Sequence, residues 1–219
     1  MSESFYEIAF TPGVKEHQSE HGSRPQYQRM ENALAGHNQL GSDEQQFIAL
    51  RDSFYMASVS ETGWPYIQHR GGPPGFVHIL RPDLIGFGDL RGNKQYISLG
   101  NLSHDNRVAL FFMDYPNQTR LKILGHAEIH GHDDKAAMLI EQFRTAEPGA
   151  VIERAILIYV SGFNWNCPQH ITPRYTLDEL EPRLTPLRNR LVALESENAE
   201  LRSRLDDRLK MGNVLAPAT

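Results

Sequence analysis

The chain has 219 residues, 40% of them hydrophobic and 22% charged, with a formal net charge of −5. That length allows one sizeable domain plus an appendage, and the acidic balance offers no basic field to nucleic acid or an anionic membrane. One cysteine, Cys167, excludes an intrachain disulfide framework. No apolar run approaches the roughly 20 residues that span a bilayer, and the start MSESFYEIAF lacks signal-peptide character, so a cytoplasmic protein is expected.

Residues 1–41 are polar and rich in Gly, His and Gln, and read as an extended arm with one short helix near Arg24–Leu34. Ser42 opens a clearer helix, SDEQQFIALRDS, where Ser42 and Gln45 match a capping box and Phe47, Ile48 and Leu50 face the core. FYMASVS then alternates over 54–60 and turns at Glu61-Thr62-Gly63 into WPYIQHR. DLIGFGD (83–89), RVALFFMDY (107–115), RLKILGHAEIHG (120–131) and RAILIYVSGF (154–163) complete six strands. NKQYISLGNLSHD reads as a short helix from about Asn93, and DDKAAMLIEQFRTA (133–146) as an amphipathic helix capped by Asp133 or Asp134. Short strands, hairpin links and few helices predict a mainly β (α+β) domain, a six-stranded antiparallel barrel with flanking helices.

Pro168, Pro173, Pro182 and Pro186 mark a change of character, and Thr185-Pro186 suits a helix start. Leu187, Leu191, Leu194, Asn198, Leu201 and Leu205 then follow in steps of 4 and 3, a heptad seam. With Leu191 at a, the leucines 187, 194 and 201 fall at d, and Asn198 falls at a, where a buried Asn favours a parallel pair. Arg190 at g would meet Glu195 at e of a partner, and Glu197 would meet Arg202. The pattern predicts a C-terminal helix over 183–212 that forms a parallel dimeric coiled coil. The alternative is one amphipathic helix packed on the barrel.

Chemistry concentrates in residues 63–125. In GDLRGNKQYIS, Arg91, Asn93 and Lys94 surround Gly92 at the expected start of a helix, and cations beside exposed backbone N–H groups suit a phosphate. The alternative is a solvated turn. In PYIQHRGGPPG, Gln68 and Arg70 share a strand face beside the side-chain-poor loop 71–75. FNWNCPQHITPR (163–174) gathers Trp165, Asn166, Cys167, His170 and Arg174. Cys167 reads as a structural thiol or a nucleophile, with no base to pair with it. His126, His130 and His132 share a face, but no Cys or carboxylate cluster completes a ligand set, so no metal site is expected.

Over residues 45–165 these motifs resemble the flavin-binding split barrels of the pyridoxamine 5′-phosphate oxidase family, most nearly its branch of predicted flavin-nucleotide-binding proteins. The resemblance implies a split barrel over 42–175, following the 1–41 arm, and a homodimer with two FMN sites across a twofold interface. The family's phosphate pattern falls on Phe87, Gly88, Arg91, Asn93 and Lys94, with Lys94 at the phosphate lysine. The family arginine of the second strand falls on Gln68, with Arg70 two residues on and able to serve the phosphate from a shifted position, so the resemblance places the FMN contact within Gln68, His69 and Arg70 and leaves its register among them open. Arg120 falls on a residue, often Gln, that reaches FMN. Trp165 and Asn166 fall where the chain approaches the partner's flavin. The family's Arg-x-His substrate pair is not matched, since Gln169-His170 and Arg174 stand there, and a substrate other than pyridoxamine phosphate is expected. The implied activity is an FMN-dependent oxidoreductase using NAD(P)H or another electron donor. His69 and His170 are the acid–base candidates, and no catalytic residue is assigned. The alternatives are a non-catalytic flavin-binding or sensor protein and a haem-binding split barrel.

Overall fold

The structure, a computed structural model, describes residues 4–34, 37–144, 149–165 and 169–214, the last six by backbone alone. Alternating sequences build the strands. In β1 (Ser53–Val59) Phe54, Met56 and Ser58 are buried and their neighbours are not. β2 (Pro65–Gly71) returns after the turn at Gly63, where φ of +83° suits glycine. β3 (Val77–Arg81) and β4 (Leu84–Leu90) form a second hairpin. β5 (Arg107–Asp114), β6 (Thr119–His130) and β7 (Ile152–Trp165) complete one antiparallel sheet in the order β2-β1-β5-β6-β7-β4-β3. The sheet curls on itself: Phe54 of β1 packs edge-on against Phe87 of β4 at 5.2 Å, although three strands separate them in that order.

The sheet therefore has seven strands, not six. The added strand is β3, whose run Val77-His78-Ile79-Leu80 is short and sits at a sheet edge, paired on one side only. Inside the curl lie Phe54, Met56, Phe112, Leu121, Ile123 and Ile158, all nearly solvent-free. Leu121, Ile123 and Ala127 are buried together, so the alternation of β6 survives the bulge at Leu124/Gly125. A second apolar cluster forms beneath α6 (Ala136–Gln142), where Leu139 and Phe143 meet Leu84, Ala155 and Leu157. Asp133 accepts from the Lys135 and Ala136 amides, both at 2.9 Å, and so closes the start of that helix.

The helices correct several expectations. The polar N-terminal segment carries α1 (Phe5–Ala9), α2 (Pro12–Glu20) and α3 (Arg24–Ala33) rather than one short helix. Local caps stabilise them: Ser4 and Glu7 form a capping box, and Thr11 caps α2 ahead of Pro12. α4 (Ser42–Ala49) starts one residue after Gly41, whose N–H donates to Glu44, while Gln45 instead donates to the Leu40 carbonyl. Ile48 of α4 is buried and Phe47 packs partly on the core, but Leu50 is 58% exposed. α5 (Ile97–His104) begins four residues later than Asn93, because Lys94 and Tyr96 adopt left-handed backbone. α7 (Leu177–Val214) starts well before Pro186 and belongs to a separate compact unit, Pro173–Thr219.

His78 on β3 lies 4.9 Å from the Phe143 ring, and burial holds its pKa below the ordinary 6.5. The folded state thus disfavours its protonated form. Stability is full above about pH 6.5 and falls as pH drops through the lowered folded value. His78→Phe is expected to flatten that loss. Melting temperatures at about pH 7.5 and 5.5, on either side of the unfolded value, check it. An equal drop in both proteins would refute the assignment.

Candidate functional site

Strand pairing aims the first site residues. Phe54 faces Arg70, Met56 faces Gln68 and Ser58 faces Tyr66 across β1 and β2, and directly opposed residues share a face. Gln68 and Arg70 therefore point to the interior side, whereas His69 points outward, its ring edge-on to Tyr55. The Arg70 side chain is 13% exposed, and its Nη1 donates to Asp89 Oδ1 at 2.5 Å. Arg154, near the start of β7, donates to the other Asp89 oxygen at 2.5 Å and to Glu153 at 2.9 Å. Glu153 also accepts from Arg91 at 2.9 Å. Ser98 of α5 donates to Gln68 at 2.6 Å, and Asn101 donates to Ser58 at 3.0 Å, which ties α5 to the strands.

Lys94 stands in the turn between β4 and α5 with φ of +59°. Such a conformation in a non-glycine residue costs on the order of 1–3 kcal/mol and gathers at functional sites. The lysine therefore belongs to a strained turn ahead of α5, not to its first helical turn. A cavity of about 90 Å³ opens here, lined by Gln68, Arg70, Asp89, Lys94, Tyr96 and Arg154 among others. A cleft of about 190 Å³ shares Gln68 and Arg70 with it and reaches His69, Phe76 and Arg91.

The charges do not balance. Among the described residues of the two hollows, Arg70, Arg91, Arg154 and Lys94 give four positive charges against Asp89 and Glu153, which leaves two positive charges in excess. Burial alone would lower the Arg154 pKa, but the hydrogen bond and charge of Asp89, with Glu153, raise it above the ordinary range. The hydrogen bond from Arg91, with the charge of Arg154, holds Glu153 below the ordinary carboxylate value against an opposing effect of desolvation. Arg70 Nε is buried and has no hydrogen-bond partner among the described residues. A buried donor without an acceptor costs about 1–3 kcal/mol.

The other predicted residues fall in three places. Phe87, 1% exposed, lies beneath the arginines, and Gly88 lines the cleft that holds Arg91; a Cβ on Gly88 would come within 2.7 Å of Ile152. Arg91 is at the rim, and Asn93 accepts from the Gln95 amide at 3.2 Å within the turn. Arg120 lies on the outer face of β6, opposite Met113, next to the Leu121–Trp165 pair. Trp165 donates to Glu44 at 2.6 Å and packs edge-on to Phe47. It stands eleven residues from Arg154 along β7, roughly 35 Å of extended strand. Across the sheet the register runs from Arg70 through Phe54, Phe112 and Leu121 to Trp165, with Arg120 paired to Met113 one step on, so Arg120 and Trp165 lie three and four strands away from Arg70. Asn166 and Cys167 lie outside the described residues. His126 bonds Ser161, and His130 is buried with Nδ1 2.7 Å from Asp133.

The sequence reading leaves Arg154, Glu153 and Asp89 out of the site. Arg154 opens an apolar strand run, and only the pairing of Asp89 with Arg154 across β4 and β7 reveals what it faces.

The family model described as pyridoxamine 5′-phosphate oxidase matches residues 42–157, more than half of the chain. No curated protein matches the chain. Among solved structures, a candidate pyridoxamine 5′-phosphate oxidase from Lactobacillus delbrueckii is 23% identical, with 58% of this chain and 94% of that one covered at a TM-score of 0.46. HupZ of Group A Streptococcus is 14% identical, with coverage of 62% and 100% and a TM-score of 0.46. An FMN-binding protein from Syntrophomonas wolfei is 12% identical, with coverage of 68% and 97% and a TM-score of 0.43.

Proposed function

The chain belongs to the pyridoxamine 5′-phosphate oxidase family, and on that premise we propose that it is an FMN-dependent oxidoreductase acting as a homodimer. The observation that carries this reading is the cationic cavity lined by Arg70, Arg154 and Lys94, which together with Arg91 of the adjoining cleft has two positive charges in excess of Asp89 and Glu153 among the described residues. The FMN phosphate is close to a dianion, so it offsets that excess. Arg70 and Arg154 are held in place by Asp89, which fixes two guanidinium groups before any ligand arrives. Lys94 adds its ammonium from the strained turn. The adjoining cleft, with Gly71, Gly88 and Gly92 beside Phe76 and Leu90 in its lining, lets a flat ring approach the backbone.

Neither cavity reaches the roughly 300 Å³ at which small-molecule sites begin. That supports a site completed by a second chain, whose Arg120 on β6 and Trp165 at the end of β7 would supply the further contacts. Bound flavin supplies the two-electron chemistry, and the protein supplies binding and orientation. An electron donor such as NAD(P)H and a substrate other than pyridoxamine phosphate fit the departure at Gln169-His170 and Arg174.

Purified protein is expected to show the two-band visible spectrum of a flavin and to oxidise NAD(P)H or another reductant through it. Lys94→Ala removes one charge-assisted contact of about 1.5–3 kcal/mol and is expected to weaken FMN binding about 10- to 100-fold. Unchanged affinity in that variant would refute the site. Flavin that binds but is reduced by no donor would make the chain a flavin carrier and not an enzyme.

A further inference from the structure

The tail helix is untouched by the flavin reading. α7 begins at Leu177, which lengthens the seam beyond Leu187. Leu177, Leu180, Leu184, Leu187, Leu191, Leu194, Asn198, Leu201 and Leu205 are separated by alternating steps of 3 and 4 without a break. The seam thus covers four heptads, where three would be marginal for a lone helix pair. Its apolar side chains are open to solvent: Leu177 is 83% exposed, Leu187 66% and Leu205 58%. A contiguous leucine stripe of this length in water marks an interaction surface.

We infer that α7 pairs in parallel and in register with α7 of a second copy of this chain along the seam Leu177–Leu205. Three features select that occupant. First, the seam is self-complementary, with leucine at every a and d position but one. Second, in a parallel in-register pair the two Asn198 side chains meet each other in one layer, whereas an antiparallel pair sets each against leucine. The Asn198 amide nitrogen, now donating to the Leu194 carbonyl at 3.0 Å, keeps its side-chain oxygen available to its counterpart. Third, Arg190 at g faces Glu195 at e, and Glu197 faces Arg202, so each pairing occurs twice by symmetry.

Two features that could oppose pairing do not. Pro182 and Pro186 interrupt the helix hydrogen bonds, but they fall at f and c and project away from the seam. The parallel register also brings Arg183 at g towards Arg188 at e. Arg188 is already paired with Glu181 at 2.6 Å in its own chain, and Arg183 lies over the Tyr175 ring at 5.1 Å.

Oligomeric state alone cannot test this, because the flavin reading already expects a dimer. Same-site cross-linking can. Leu187→Cys and Leu201→Cys are made separately in the full chain with Cys167→Ser, and Ser196→Cys at an outward f position serves as control. On brief oxidation both seam variants are expected to form a reducible double-mass species at least about tenfold faster than the control, since only seam residues bring their β-carbons within disulfide reach. In an antiparallel pair only residues at the twofold axis meet their own copies. Cross-linking at one seam site alone, at neither, or at the control rate would overturn the inference. The measurement is made with and without added FMN, so failed pairing and failed flavin binding are separately visible.

Discussion

Arg70→Met is expected to damage both the fold and the ligand site. Arg70 and Asp89 have side chains 13% and 10% exposed and meet at 2.5 Å. Removing one partner of a buried ion pair costs about 3–5 kcal/mol, because the other charge stays buried. Arg154 still holds the second Asp89 oxygen, so the lower figure of about 3 kcal/mol applies. For a chain of this size that is a fall of about 6–12 °C in melting temperature. FMN affinity is expected to fall by at least the roughly 10- to 100-fold of Lys94→Ala, since the phosphate loses a preset guanidinium. Arg70→Lys should recover the charge but little of the binding, because an ammonium lacks the fork that spans Asp89 and a ligand. The double variant Arg70→Met with Asp89→Leu should be more stable than the sum of the two single losses, as no carboxylate is then stranded. Calorimetry and FMN titration of these variants decide the matter. A single variant melting within about 1 °C of the unmodified protein would show that the pair contributes little.

The sheet was legible wherever alternation was strong. FYMASVS, RVALFFMDY and RLKILGHAEI became β1, β5 and β6 close to the expected bounds. β3 was not legible, because a five-residue edge strand carries too few alternations to separate it from the loop before it. The helices α1 and α2 lay within reach: Ser4 with Glu7, and Thr11 before Pro12, are start signals that low hydrophobicity obscured. The site was half legible. Arg91, Asn93 and Lys94 announced themselves by clustering in sequence. Arg154 and Asp89 come together from residues far apart in the chain, and no local pattern encodes that meeting. His69 shows the converse: adjacent to Arg70 in sequence, it points to the other face because successive strand residues alternate.

The N-terminal helices depend on one glycine. A Cβ built on Gly162 of β7 would stand 2.2 Å from the Phe5 nitrogen and 2.7 Å from the Phe5 Cα. Those are backbone atoms, so no side-chain rotation relieves the clash. Gly162→Ala is therefore expected to lift α1 from β7, breaking the 2.9 Å bond between Asn164 and the Tyr6 hydroxyl. Tyr6, 4% exposed, would return to water, and burial of a large aromatic residue contributes about 1.5–3 kcal/mol. The expected loss of about 2–3 kcal/mol corresponds to about 4–12 °C in melting temperature. Hydrogen exchange should accelerate through Phe5–Ala9 while β4 and β5 stay protected. Gly100→Ala provides the contrast: that glycine lies inside α5 with nothing within 4 Å of an added Cβ, so alanine should raise stability by up to about 1 kcal/mol. Unaltered melting and exchange in Gly162→Ala would mean that α1 is not seated on β7. FMN affinity should hold in both variants if the phosphate cavity of each chain is built from β2, β4, β7 and the Lys94 turn, far along β7 from Gly162.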